Sequence, residues 1–225
     1  MVCMKRGKLG SLAAVGACFL VGSFAGAAMA EGSLPSLESS DLAQGPYSYM
    51  HMLLQKTILR INVATVEVRV DKPAQARLAG LASGQANSDG LAQQLANVAI
   101  GAEHAVVQMR FKRDIPLKRY IGVVRDNLEA ARKAGLIAAD LEKKVSQGLP
   151  EWFGALADRG LLQDDRLLYA VGPDSLRTVV VSAAGQVFVD RLDREQCTRR
   201  VVLPSYFGPG TDTREGLLRS LVGGK

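Results

Sequence analysis

The hydrophobic positions along the chain change period several times, and each change marks an element. In "TILRINVATVEVRVD" (57–71), Leu59, Ile61 and Val63 are apolar on odd positions, then Val66, Val68 and Val70 on even ones. Alternation of period two predicts a strand. The change of phase near Ala64-Thr65 predicts a bulge or sharp bend, because a one-residue slip sends every later side chain to the other face. Two Ala/Leu-rich helical stretches follow, parted by "SGQANSDG". "AVVQMRFKR" (105–113) predicts another strand, with Val107, Met109 and Phe111 on one face. Pro116 opens a helix, an accepted first-turn position, and that helix stops near Gly135. A second, "AADLEKKVSQGLPEWFGALADRG", is expected to break or bend at Gly148-Leu149-Pro150. "DRLLYAVG", "LRTVVVSA" and "GQVFVDRL" predict a three-strand meander split by "GPDS" and "AAG" turns. Two helices close the chain, "DREQCTRRVVLPSYFG" and "TDTREGLLRSLV", where Asp212 or Thr213 can cap the second. Segregated runs of strands and helices predict an α+β fold, an antiparallel β-sheet covered by helices.

The helix after Pro116 carries an anomaly. Leu117, Tyr120, Ile121, Val124, Asn127, Leu128 and Ala131 share one arc, while Lys118, Arg125, Asp126, Glu129 and Arg132 fall on the other. A phenol and a carboxamide thus sit on the apolar side, seven residues apart. A buried amide is costly unless something hydrogen-bonds it. Either the pair is satisfied structurally, with Tyr120 reaching solvent and Asn127 bonding backbone, or it supplies the polar points of an apolar cleft.

Composition alters the picture mainly at the N-terminus. Lys5, Arg6 and Lys8 precede an apolar, small-residue run ending Ala28-Met29-Ala30. Residues 1–30 therefore read as a secretory signal cleaved after Ala30, which predicts a periplasmic or secreted protein. Two other readings remain: lipidation at Cys18 in the loose lipobox "VGAC", or an uncut span from Leu9 to Ala30. Membrane contact is expected only through such an uncleaved or lipidated N-terminus. The leader's three basic residues account for half of the net charge of +6, leaving +3. Without a remaining Lys/Arg block beyond "TRR" and "FKR", no nucleic-acid partner is expected. Of three cysteines, Cys197 alone follows the leader, so the mature chain can form no internal disulfide. Residues 31–48 are polar and turn-rich, a flexible lead-in, and 49–225 read as one domain.

Motif chemistry is sparse. The sequence has no phosphate-cradling glycine loop, no Gly-x-Ser-x-Gly elbow and no metal-ligand spacing. His51 and His104 have no partner at a telling spacing. Trp152 and Phe153 read as core anchors, and Asp164-Asp165 as turn residues. No metal and no cofactor is expected.

The order of pieces from Ala105 to Val189 resembles the chalcone isomerase superfamily. "MRFKRDIPLKRYIGVVRDNLEAARKAGL" gives the strand with a basic-aromatic end and the helix with Tyr and Asn seven apart. "GLLQDDRLLYAVGPDSLRTVVVSAAGQVF" gives the polar turn and meander, and "PSYFGPGTDTREGLLRSLV" the closing helices. The resemblance covers roughly residues 50–222 and implies a chalcone isomerase-like open-faced sandwich, one sheet face covered by a helical layer with a cleft between. It places the family's site residues on Tyr120, Asn127 and Ser205, with Asn62 where the family has Thr. Met50 falls near the position of the family's Arg, which stabilises a phenolate and a developing enolate. An apolar side chain supplies no positive charge there.

The resemblance implies a non-catalytic binder of a fatty acid or other small apolar or amphipathic ligand, oriented by Tyr120, Asn127, Asn62 and Ser205. Arg60, Arg110 and Lys112 are the available cations. An intramolecular lyase acting on an enone is the first alternative, and needs a replacement for the missing charge. A structural or partner-binding module with a filled cleft is the second.

Overall fold

The computed structural model describes residues 42–43, 49–56, 61–83, 85 and 88–222. The leader and most of the lead-in lie outside them. The described residues belong to one compact unit within Pro35–Lys225. Six strands, β1 (Tyr49–Lys56), β2 (Ile61–Val70), β3 (Ala105–Phe111), β4 (Arg166–Val171), β5 (Leu176–Val181) and β6 (Val187–Asp193), form one antiparallel sheet in chain order. Six α-helices lie between and after them: α1 (Lys72–Ala82), α2 (Asp89–Ile100), α3 (Leu117–Lys133), α4 (Ala139–Trp152), α5 (Gln196–Phe207) and α6 (Arg214–Val222). The helices contact one another in a connected layer, with α6 on β1 and β2 and α5 on β4. This is the expected α+β arrangement.

The phase change in β2 is a bulge. Leu54 of β1 pairs with Ala64 and Gln55 with Asn62, so Val63 is the extra residue. Beyond it Ala64, Val66, Val68 and Val70 are buried beneath the helices. Residues 57–60, the start of the expected strand, are outside the described part. β1 itself was not expected, although Met50, Met52 and Leu54 alternate in "YMHMLLQK" and point inward. On the sheet's opposite face the buried residues Val106, Leu168, Val179 and Val181 share the surface with Glu67, Arg110, Arg177 and Asp190.

Two other expectations are corrected. Pro116 immediately precedes α3, as its cap residue, instead of occupying its first turn. The helix α4 does not break at Gly148-Leu149-Pro150 but runs through them to Trp152. Pro150 has no N–H to give the carbonyl of Ser146 one turn back. Arg125 of α3 supplies the missing donors, its Nε and Nη2 reaching that oxygen at 3.3 and 2.9 Å. Gly148 has a separate role, since a Cβ there would lie 2.4 Å from the Trp152 ring. Its missing side chain lets the indole fold back along α4.

Candidate functional site

A cavity lies between the helical layer and the sheet, lined from β1 and from β3 to β6. About 90 Å³ is open to the centres of water-sized molecules. At roughly 10–15 Å³ for each such group, that is room for about six to nine. Most of its wall is aliphatic or aromatic: Leu54, Met109, Leu128, Val145, Leu149 and Val189 are among the lining residues.

The sheet floor follows from register. Met50, Val68, Val107, Tyr169, Thr178 and Arg191 pair in turn across all six strands, forming one row beneath the helices. The row is apolar at the β1 edge and polar from β4 onward. The adjoining row, Met52-Val66-Met109-Leu167-Val180-Val189, is apolar throughout.

From above, α3 lowers Tyr120 onto this floor. Its hydroxyl is 2.8 Å from that of Tyr169, and its ring meets Phe111 and Phe153 edge to face, with centroids 6.2 and 5.6 Å apart. Two hydroxyls sharing one hydrogen bond leave one O–H free to donate. Tyr206 of α5 also lines the cavity and donates only to the soft sulfur of Met109, at 3.1 Å. Burial pushes the Tyr169 phenol up to about 12, against a downward pull from its bond to Tyr120. Burial also holds Tyr120 and Tyr206 above the ordinary tyrosine range, aided by their neighbouring phenols. All three are neutral donors at physiological pH.

Tyr120, Asn127 and Ser205 all line the cavity. Asn127 is half-buried, and its amide has no hydrogen-bond partner among the described residues. Neither structural role considered for the pair is seen: Tyr120 is buried and Asn127 does not bond backbone. Ser205 gives its proton to the Val202 carbonyl at 2.7 Å, so toward the cavity it can accept but not donate.

Asn62 does not join them. It is exposed beside the β2 bulge and accepts from Gln55 at 2.8 Å. The bulge breaks the alternation that would have turned its side chain inward. Met50 is fully buried in the core without lining the cavity. Of the cations considered, Arg60 is outside the described residues, and Arg110 is on the opposite face, bonded to Asp164 at 2.9 Å. Lys112 is exposed.

Sequence reasoning missed Tyr169, Tyr206, Thr178 and Arg191. The period-two pattern of "RLLYAV" and "VFVDRLD" puts Tyr169, Arg191 and Asp193 on the same face as buried Leu167 and Val189, which was the available signal. Among the described residues Arg191 is the one cation lining the cavity. Its guanidinium lies 4.0 Å over the Trp152 ring, and Nη2 reaches Asp193 at 3.2 Å. Asp193 also accepts from the Glu195 N–H at 2.8 Å. Among the described residues no group of histidine, cysteine, aspartate and glutamate is placed to hold a metal ion.

No family model and no curated protein matches the chain. Among solved structures it is similar to a fatty-acid binding protein of Arabidopsis thaliana, AtFAP1, with a TM-score of 0.53 and 12% identity. The match covers 84% of this chain and 93% of that one. The chain therefore has the α+β, chalcone isomerase-like fold of that protein, an open six-strand antiparallel sheet with six helices.

Proposed function

We propose that this protein is an exported, non-catalytic binder of a fatty acid or similar small amphipathic molecule, held between the sheet and the helical layer. The observation that carries the reading is the cavity itself: an apolar chamber with a few converging polar groups, the usual construction of a small-molecule site. Its volume suits an alkyl chain of about six to nine carbons with the head at the rim. Burying nine carbons at about 0.8 kcal/mol each gives roughly 7 kcal/mol before association costs. The tail alone then supports dissociation constants of about 10 μM or weaker. Fatty-acid binding by AtFAP1 agrees with this reading.

Arg191 is the observation that favours an intramolecular lyase, since it brings positive charge to the cavity. Its placement opposes that role. It is at the β6 edge, two strand spacings or roughly 10 Å from Tyr169 along the floor, stacked on Trp152 and paired with Asp193. At the β1 edge, where the resemblance puts the family's Arg, Met50 offers no charge. Removing one oxyanion donor typically costs about 3 kcal/mol, or a hundredfold in rate. Chalcone cyclisation should therefore run at least about a hundredfold below ordinary enzymatic rates, and turnover at ordinary enzymatic rates would reverse the assignment.

Calorimetric titration with decanoic acid tests binding, using Val124→Trp, which places an indole in the cavity, as the control. Saturable one-to-one binding by the wild type, lost in Val124→Trp, is the expected result. Equal binding by both would place the ligand elsewhere and overturn the proposal.

A further inference from the structure

The geometry points to Arg191 as the head-group site, with an aliphatic carboxylate as the ligand and its tail running from the β6 edge toward β1. This rests on the binding role proposed above and fixes the ligand's charge and direction.

Three observations combine. The sheet residues that line the cavity change from Leu54 and Met109 on β1 and β3 to Thr178 and Arg191 on β5 and β6, so its polar end is the β6 end. Stacking on Trp152 covers one face of the guanidinium but leaves its N–H edges available, because all five donors lie in the guanidinium plane. Asp193 is the sole acceptor it meets among the described residues, through one nitrogen. A carboxylate can take two parallel N–H groups on a free edge, the bidentate geometry arginine favours. The arginine side chain is 35% exposed, so its edge is accessible without opening the core.

Two carboxylates, Asp193 and Asp212, also line the cavity and would favour a cationic head. Asp193 is the less available partner: both its oxygens already accept, one from Arg191 and one from the Glu195 N–H, and its side chain is 10% exposed. Asp212 lies on the stretch between α5 and α6, just before α6, which packs on β1 and β2 at the other end of the sheet from β6. The arginine is therefore the group left to recognise a head at the β6 end. Inward from it, the neutral O–H of the tyrosine cluster and Asn127 line the path of the tail without demanding charge.

The test compares decanoate, 1-decanol and decylamine at neutral pH on the wild type, Arg191→Gln and Asp193→Asn. Trp152, the single tryptophan of the chain, gives a fluorescence signal beside the arginine. The wild type should bind decanoate at least tenfold more tightly than decanol, and decylamine most weakly. Arg191→Gln should remove that preference while leaving decanol affinity unchanged. Asp193→Asn, which keeps an acceptor for Glu195 but drops the competing charge, should tighten decanoate severalfold. That second variant carries the test if Arg191→Gln fails to fold. Decanoate and decanol bound equally by the wild type, or decylamine preferred, would overturn the head-group site while leaving the apolar-ligand reading standing. Failure of the wild type to bind any of the three would overturn both.

Discussion

The cavity's character is set by a few side chains whose polar atoms are only partly used. Asn127 has no hydrogen-bond partner among the described residues, so Asn127→Ala should change stability by no more than about 0.5 kcal/mol in thermal melts. Tyr120→Phe differs, because its hydroxyl is bonded to that of Tyr169 inside the core. Removing it strips a buried hydroxyl of its partner, and thermal melts should show a loss of about 1 kcal/mol or more. The tyrosines also give a pH signature. Burial places the folded pKa of Tyr169 at about 12, above its unfolded value near 10, so the folded state retains the proton longer. This contribution to stability is complete below pH 10 and is lost as pH rises toward 12. Ultraviolet titration should therefore find buried phenols that ionise only together with alkaline unfolding. Full ionisation near pH 10 in the folded protein would contradict their burial.

The helix α4 holds two features that look like breaks in sequence and are contacts in space. Gly148 accommodates the Trp152 ring, so Gly148→Ala should displace the indole that supports Arg191. Overpacking costs about 1–3 kcal/mol against up to about 1 gained in helix propensity. A net loss near 1 kcal/mol with altered tryptophan emission is expected from melts and fluorescence. Pro150 leaves the Ser146 carbonyl to Arg125, so Arg125→Met should destabilise by about 1 kcal/mol by loosening α3 from α4. Neither contact was legible in the sequence, because both join residues through tertiary packing that local pattern does not record. Periodicity did locate the β2 bulge, the meander and the Tyr120–Asn127 face. It failed at Asn62, where the bulge turns the side chain away. Its use was incomplete at β1 and at Arg191: both follow the period-two pattern, but a short methionine-rich run and a charged residue do not look inward-facing from composition alone.

For the molecule as a whole, likeness to AtFAP1 at 12% identity fixes the fold, and the chemistry rests on this chain's own cavity. Here positive charge stands at the β6 edge of the floor and methionine at the β1 edge, an arrangement suited to holding an amphipathic molecule by one end. Export is a separate part of the proposal. Sequencing the N-terminus of the exported protein should find Glu31 first, and a lipidated Cys18 or an intact leader would contradict it. The central claim, a ligand seated between sheet and helices, is tested most directly by native mass spectrometry of protein purified from its own compartment. A discrete added mass, released on denaturation, identified as a small amphipathic molecule and absent from Val124→Trp, is the predicted result. Wild-type protein that carries no such mass and takes up none when incubated with decanoate would contradict it.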